Sequence, residues 1–187
     1  LKWVSFVSIG TFLLAVALSL ASELLLENIK SLVLSIIILL LVISIGVIFD
    51  VIGIAAAAAS ETPFHAKAAK KVFGAKYAIF LIRNADQVSN LCNDVVGDIS
   101  GILSGVIGAV IVFRFLFEKA GLDKALISII ITGIIASLTV GGKAVGKIAA
   151  LQKANSIIFM VSVVLARLDQ ILPGNFPINH KLSRKRK

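Results

Sequence analysis

Four side chains with the chemistry to bind a hard cation cluster where an apolar segment begins: Asn90, Asn93, Asp94 and Asp98. Asn90, Asp94 and Asp98 recur at every fourth residue, so on a helix they line one face. Carboxylate, amide and water oxygens are the ligands that Mg²⁺ prefers. The same groups are typical of a helix N-terminus, where free N–H groups and the helix dipole favour them. The pattern predicts a divalent-cation site in which Asp98 is the strongest candidate, and it leaves capping open for the two asparagines.

Asp50 is a further acidic residue inside an apolar stretch, and Gly53 follows it at a position that could loosen a helix. An unpaired carboxylate within a bilayer costs at least ~2.5 kcal/mol on insertion scales, so a partner, a proton or an ion is expected beside it. If Asp50 instead lies near the cytoplasmic interface, it marks the end of a span, and a surface helix follows through the alanines. Both interpretations of Asp50 stay open, and it is included among the candidate metal ligands.

Small residues recur at four-residue spacing directly after the acidic pattern. Gly97, Gly101 and Gly105 share one helix face, and Gly133 and Gly141 supply a comparable face on a later segment. Glycine allows two helices to approach closely in lipid. These faces are therefore predicted to pack helices together, with the two segments as neighbours. Spacing alone leaves open whether the partner is a helix of the same chain or a second copy.

Composition indicates which solvent surrounds these elements. Hydrophobic residues make up 58% of the 187 residues, the mean hydropathy is +1.02, and only 16% of the residues are charged. Soluble domains are about 45–50% apolar, so a water-soluble fold of this size could not cover so much apolar surface. A membrane span needs about 20 mostly apolar residues. An all-α integral membrane protein with four transmembrane helices is predicted, with spans at 3–21, 31–49 (apolar as far as 59), 95–117 and 125–142.

Two apolar runs allow a second interpretation. The first span also fits a signal peptide, because Ser19 and Ala21 are small residues spaced as a cleavage site requires; we expect an uncleaved helix. The run at 155–166, closed by Arg167 and Asp169, has only about a dozen residues. It is predicted to be too short to cross the membrane and to form an interfacial or re-entrant helix. The fold class therefore includes cytoplasmic interfacial helices.

The segment between the second and third spans is predicted to be helical. Thr62 and Pro63 have the types expected at an N-cap and at the first helical position. The following lysines share one helical face and the aromatic residues share another, which fits a helix on the cytoplasmic membrane surface or, equally, a solvated basic face over a protein core. The lysines are Lys67, Lys70 and Lys71, and the aromatic residues are Phe73, Tyr77 and Phe80.

The distribution of basic residues predicts the orientation. The chain has 19 Lys+Arg against 10 Asp+Glu, a formal net charge of +9. Cytoplasmic loops carry the excess of Lys and Arg, so the segment 61–94 and the C-terminal region are predicted to be cytoplasmic. With four spans, both termini then lie on the cytoplasmic side of the plasma (inner) membrane. The expected partner is the lipid bilayer; nucleic acid is not expected, because no basic stripe carries the interleaved aromatics that stack bases.

Enzymatic activity is not expected. His65 and His180 are far apart in sequence, and neither belongs to an HExxH motif. The glycines lie inside apolar helices, so they do not form a phosphate loop. The single cysteine, Cys92, excludes an intrachain disulfide and a multi-cysteine metal site, and packing is its expected role.

Two segments, GAKYAIFLIRNADQVSN and TVGGKAVGK, carry a resemblance to a known family. Residues 33–174 resemble the transmembrane domain of the CNNM/CorC (CorB-like, hemolysin-like) magnesium transporter family. The first segment is similar to the family's helix ending in Asn-Pro before its second span. The second is similar to its Gly-Glu-x-x-Pro-Lys turn after the third span, although Gly146 replaces the proline and only Lys147 matches. The family's CBS domains are missing from this sequence.

The resemblance implies a homodimeric Mg²⁺ transporter whose ion is held by polar side chains of the spans. It also implies three regions: an additional N-terminal transmembrane helix and outer loop at 1–30, a CNNM/CorC-like transmembrane domain with a juxtamembrane helix at 31–174, and a basic cytoplasmic tail at 175–187. The function expected first is membrane transport of divalent cations, Mg²⁺ before Co²⁺. The alternative is a non-transporting scaffold or partner subunit that associates through its Gly/Ser helix faces. Apart from bound or transported Mg²⁺, no cofactor is expected.

Overall fold

A computed structural model describes residues 8–20 apart from 14 and 18, residues 31–113 and residues 124–171. Within these ranges all regular secondary structure is helical. A short apolar helix, Ser8–Ala17, lies near the start. The remaining elements are α1 (Leu32–Ala58), α2 (Thr62–Ala69), α3 (Ala75–Arg83), α4 (Ala85–Ser89), a π-helical segment (Asn90–Gly97), α5 (Asp98–Ile111), α6 (Lys124–Gln152) and α7 (Ala154–Ile171).

Among the described residues, four helices are long and apolar enough to cross a membrane: Leu32–Ala58, Ala85–Ile111, Leu126–Gln152 and Ala154–Ile171. This confirms the predicted all-α class, and the predicted second, third and fourth spans overlap with the first three of these helices. The predicted third span, 95–117, begins ten residues later than its helix, and the predicted fourth, 125–142, ends ten residues earlier than its helix. The predicted first span, 3–21, lies partly outside the described residues. Membrane insertion and orientation remain predictions.

Helix α7 corrects one expectation, because the run at 155–166 was predicted to be too short to cross. The helix has 18 residues and continues beyond Arg167 and Asp169. Asp169 is buried and accepts a hydrogen bond from the Tyr77 hydroxyl, so this charged residue does not end the helix. Counting apolar residues alone therefore placed the end of the helix too early.

The segment between α1 and α4 also differs in detail from its prediction. Helix α2 begins at Thr62 with Pro63 in its first turn, as expected, but Glu61 occupies the N-cap position and makes no side-chain cap. The expected continuous surface helix is interrupted between Ala69 and Ala75. Helix α2 ends at Ala69, and Gly74, whose φ of +83° is a left-handed conformation that glycine adopts readily, is the N-cap residue of α3.

The chain divides into two compact units. The first unit contains residues 1–50 and 93–146, and the second contains residues 51–92 and 147–187. The core of the first unit is formed by large aliphatic side chains of α1, α5 and α6: Leu39, Ile43, Ile107, Ile111 and Ile135. The predicted boundaries at residues 30 and 174 lie outside the described residues and remain predictions.

The core of the second unit contains many small side chains. Ala55, Ala56, Phe64, Ala78, Leu81, Ala150, Ala154 and Ile158 form one buried cluster. The alanines allow the helix backbones to approach closely. The larger side chains of Phe64 and Ile158 fill the space that remains between the helices. The core of the second unit therefore resembles the interior of a soluble protein, and this unit carries the side-chain hydrogen bonds between different helices that are described below.

Candidate functional site

Helix α5 has one packed face. Ser100 and Ile107 are buried on it. A Cβ atom placed at Gly46 of α1 would lie 2.8 Å from the Ser100 Cβ, and one placed at Gly108 would collide with the Ile135 side chain of α6. Glycine at these two positions therefore allows α1 and α6 to approach α5.

The opposite face of α5 is open. Among the described residues, no atom lies within 4 Å of a Cβ built at Gly101 or Gly105. Asp98 comes three residues before Gly101, so its carboxylate lies on the same side of the helix. Asp98 is exposed, and so is Asp94 on the π-helical segment that precedes α5. We call Asp98, Gly101 and Gly105 the open face of α5, with Asp94 adjoining its acidic end; the other end consists of small residues.

Asp98 has a basic neighbour on α6. Its Oδ1 atom lies 3.6 Å from Lys143 Nζ, and its side chain is 69% exposed. An intramembrane carboxylate is expected to pair, and Lys143 provides that partner within the chain. In the sequence, Lys143 directly follows the predicted span at 125–142, and its spacing gives no sign of a pairing with Asp98. The structure therefore places a competing positive charge beside the residue predicted to be the best cation ligand.

The other predicted ligands differ in their exposure. Asn90 is exposed, Asn93 and Asp50 are partly buried, and Asp50 comes four residues after Gly46 on α1. In the part of the chain that the structure describes, no three His, Cys, Asp or Glu side chains are close enough to hold a metal ion. A single chain therefore presents no preformed carboxylate cluster at the predicted residues, and metal binding by Asp50, Asn90, Asn93, Asp94 and Asp98 remains a prediction.

The segment Asn90–Gly97 is π-helical and leads directly into α5. π-helical turns are rare and occur frequently at functional sites. Asn90, Asn93 and Asp94 lie on this wider turn, so the α-helical spacing used in the sequence analysis holds only from Asp98 onward. No residue pattern in the sequence indicates this geometry.

The predicted glycine faces do not join α5 to α6. The two helices are neighbours, as expected, but Gly108 and Ile135 make the contact. Gly133 and Gly141 on α6, like the two open glycines of α5, have nothing within 4 Å of an added Cβ. Among the five predicted packing glycines, only Gly97 is buried. A packing role for the others requires a partner beyond the described part of the chain.

Three charged side chains meet at one end of the second unit. Arg83 Nε donates a hydrogen bond to Glu61 Oε1 at 2.6 Å, and His65 Nε2 lies 2.9 Å from the same oxygen. Desolvation raises the pKa of Glu61, but the hydrogen bonds and positive charges of Arg83 and His65 outweigh it, and the net effect lowers the pKa. The His65 side chain is 55% exposed, and its acidic partner Glu61 lies four residues before it.

Tyr77 of α3 and Asp169 of α7 form the shortest hydrogen bond of the second unit among the described residues. The Tyr77 hydroxyl donates to Asp169 Oδ2 at 2.5 Å. Desolvation, followed by this hydrogen bond and the charge of Asp169, raises the pKa of Tyr77 to about 12. The two residues are 92 positions apart, so sequence spacing could not have paired them.

The three lysines predicted to share one helix face differ in their contacts. Lys67 Nζ lies 3.9 Å from the centroid of the Phe159 ring and 5.4 Å from that of Phe64, which are cation–π contacts. Lys70 and Lys71 remain exposed. Lys67 therefore takes part in the packing of α2 against α7, whereas its neighbours are available at the surface.

No protein-family model, no curated protein and no solved structure matches this chain. The resemblance to the CNNM/CorC family therefore rests only on the two segments quoted above.

Proposed function

We propose that this chain is a multi-pass membrane protein that associates with a second copy through the open face of α5. The observation that carries the proposal is the absence of any described atom within 4 Å of a Cβ at Gly101 or Gly105, while the opposite face of α5 is packed. In lipid, faces of small residues at four-residue spacing bring helices together through backbone contact. Such a face is self-complementary, as a two-fold symmetric contact requires.

Helix α6 supports the same proposal. Only 6% of the most apolar 18-residue stretch of this helix is buried, and a Cβ added at Gly133 or Gly141 meets no described atom within 4 Å. A helix with so few neighbours in its own chain presents most of its surface to lipid or to a partner. The open face of α5 is preferred as the contact because its acidic end would be costly to leave against lipid.

The test of association is Gly101→Leu. A leucine side chain would separate the two helices, and we expect the dissociation constant of the dimer in a bilayer to rise by at least about tenfold, or ~1.4 kcal/mol. Gly10→Leu is the matched control, because an added Cβ at Gly10 also meets nothing within 4 Å and Gly10 lies outside α5. Single-molecule photobleaching of labelled protein in liposomes measures the dimer fraction. A monomeric wild type, or equal dimer fractions in wild type and Gly101→Leu, contradicts the proposal.

A second candidate function, divalent-cation transport with Mg²⁺ as the first ion, is favoured by the acidic end of the same face. Two copies meeting across the open face of α5 would bring Asp94 and Asp98 of each chain toward one interface. Carboxylates supplied by two chains could satisfy a hard cation that one chain cannot hold. The cation would then compete with Lys143 for the carboxylate of Asp98. Transport should therefore depend on the charge of Asp98.

Mg²⁺ flux into proteoliposomes tests this candidate. Asp98→Asn keeps the size of the side chain and removes its charge, and we expect flux to fall by at least about tenfold. Asp86→Asn is the control, since Asp86 is an exposed acid of α4 outside the open face. Normal flux in Asp98→Asn excludes the assigned site. Absent flux in a wild type that dimerises favours the non-transporting module.

A further inference from the structure

The turn between α2 and α3 forms the floor of an open cleft in the second unit. The cleft has a volume of about 440 Å³, and its lining includes Lys71, Phe73, Gly74, Lys76, Tyr77 and Gln170. None of the described lining residues is acidic. Two lysines facing one small concave surface without a carboxylate create a site for an anion.

The backbone of this turn is held in an uncommon conformation. Lys71 has φ +56°, in the left-handed region that residues other than glycine seldom adopt. The amides of Lys71 and Val72 donate to carbonyl oxygens of Ala68 and Lys67, each at 3.0 Å, which fixes the turn. Gly74 packs directly against Val163 of α7. The positions of the two cleft lysines therefore follow from a constrained turn.

The tip of the turn is apolar. Val72 and Phe73 are 39% and 44% exposed, and they lie between Lys70 and Lys71 on one side and Lys76 on the other. Exposed apolar side chains flanked by lysines are typical of segments that enter the headgroup region of a bilayer. A free phosphate ion would gain nothing from these two side chains, whereas a lipid would bind both them and the lysines.

Helix α7 connects the cleft to the lipid. One of its faces exposes Met160, Val164 and Ile171 together with Arg167, whose long side chain can reach the headgroups, and Gln170 of the cleft lies on the neighbouring flank. Lys67 stacks on Phe159 near the middle of α7, and a lysine at the centre of a bilayer is costly. Although α7 is long enough to cross a membrane, these two basic residues favour a position along the membrane surface, which places the cleft at the depth of the headgroups.

We propose that the α2–α3 cleft binds the headgroup of an anionic phospholipid, with Lys71 and Lys76 contacting the phosphate and Phe73 entering the acyl boundary. The site ties the second unit to the bilayer in which the protein is embedded. It does not depend on the proposed association or transport, because all of its residues lie outside the open face of α5.

The test uses the full chain in a neutral detergent and follows its thermal unfolding. Phosphatidylglycerol should raise the unfolding temperature more than phosphatidylcholine does, since a ligand of the native state stabilises it by mass action. Lys71→Gln and Lys76→Gln should each weaken the apparent affinity for phosphatidylglycerol by about fivefold. Lys153→Gln is the control, because Lys153 is exposed and does not line the cleft. Equal responses in all three variants and the wild type overturn the proposal.

Two further measurements separate a lipid from a free anion. Inorganic phosphate at the same concentration should leave the unfolding temperature unchanged; a shift equal to that of phosphatidylglycerol, lost in Lys71→Gln, identifies a free-phosphate site and overturns the lipid assignment. In a Trp3→Phe/Phe73→Trp variant, which moves the single tryptophan into the turn, lipids brominated in the acyl chain should quench fluorescence more strongly in phosphatidylglycerol than in phosphatidylcholine bilayers. Equal quenching contradicts the site.

Discussion

Large aliphatic side chains of the first unit are mostly exposed, whereas the smallest side chains of the second unit are among its most buried. Ile129 of α6 and Val33 of α1 are 69% and 67% exposed, while Ala75 and Ala78 of α3 are fully buried. Exposed leucine and isoleucine on this scale would be an aggregation hazard in water. In a bilayer the same surface is solvated by lipid.

The two units also differ in the hydrogen-bond partners of their polar side chains. In the second unit, Glu61, Arg83, Tyr77 and Asp169 form hydrogen bonds between side chains of different helices. In the first unit, the hydroxyls of Ser44, Ser104 and Thr139 donate to carbonyl oxygens of their own helices. Long-range hydrogen bonds between side chains therefore help to specify the packing of the second unit. In the first unit the polar contact described between helices is the Asp98–Lys143 ion pair, and the helices approach closely at Gly46 and Gly108. This difference predicts which substitutions each unit tolerates.

Ile158→Ala should give the largest loss of stability. Ile158 is fully buried in the core of the second unit, so its truncation is expected to cost about 2–5 kcal/mol. Ile129→Ala applies the same change to an exposed residue of α6 and should stay within about 0.5 kcal/mol. Unfolding of both purified variants in one detergent measures the difference. Similar losses would mean that the second unit has no core of the kind described.

Gly74→Ala is the next largest effect. An added Cβ would lie 2.9 Å from Val163 Cγ2 and 3.1 Å from its backbone nitrogen, at a φ of +83°. The left-handed conformation costs roughly 1–2 kcal/mol for alanine and overpacking costs roughly 1–3 kcal/mol, so a loss of about 2–4 kcal/mol is expected.

Gly141→Ala is the matched control for this substitution, because a Cβ at Gly141 meets nothing within 4 Å. Alanine inside a helix is more favourable than glycine by about 0.5–1 kcal/mol, so this variant should unfold at the same or a higher temperature. If Gly141→Ala unfolds at a lower temperature than the wild type, another part of the folded chain covers Gly141.

The helices of the first unit could be predicted from sequence because hydrophobic length alone determines them. Helix α1 follows from an apolar run interrupted only by Asp50, and the start of α6 follows from the run that ends at Lys143, although the helix continues to Gln152. The side of α5 that packs inward could not be predicted, because Gly101 and Gly108 have the same type and differ only in which helix lies opposite. Gly108 faces Ile135, a contact that depends on how two helices cross.

The second unit was predicted less well, because its contacts join distant residues. The helix start near Thr62 follows from local residue types, although the N-cap position is Glu61, one residue before the predicted Thr62. The break at Gly74 was missed because lysines and aromatics on either side continue a helical pattern through it. The hydrogen bond between Tyr77 and Asp169 joins residues 92 positions apart, which no local pattern indicates.

Tyr77 offers a smaller and more specific measurement in the second unit. It is the single tyrosine of the chain, so ultraviolet absorbance of tyrosinate reports on this residue alone. Its pKa is raised from 10.0 to about 12, so its stabilising contribution is complete below pH 10 and is lost as the pH rises toward 12. Titration of the folded protein should show a midpoint near pH 12, and of the unfolded chain near pH 10.

Asp169→Asn separates the causes of this shift. Desolvation is the larger cause and would remain, while the negative charge of Asp169 would be removed. The midpoint of Tyr77 should therefore move only part of the way toward 10. An unshifted tyrosine in the folded wild type contradicts the hydrogen bond itself.

The smallest expected effect concerns Glu61 at low pH. Its pKa is lowered below the ordinary value of 4.5, so its contribution to stability is present above pH 4.5 and is lost as the pH falls through the pKa of the folded state. Because the ion pair is exposed, the change in unfolding temperature should be small and should weaken with added salt. Arg83→Gln should remove most of this acid-dependent loss, because Arg83 donates the 2.6 Å hydrogen bond. Arg167→Gln removes an equal charge from an exposed position of α7 and should leave the loss in place; if both variants behave alike, the pH dependence arises from the overall charge of the chain and not from Glu61.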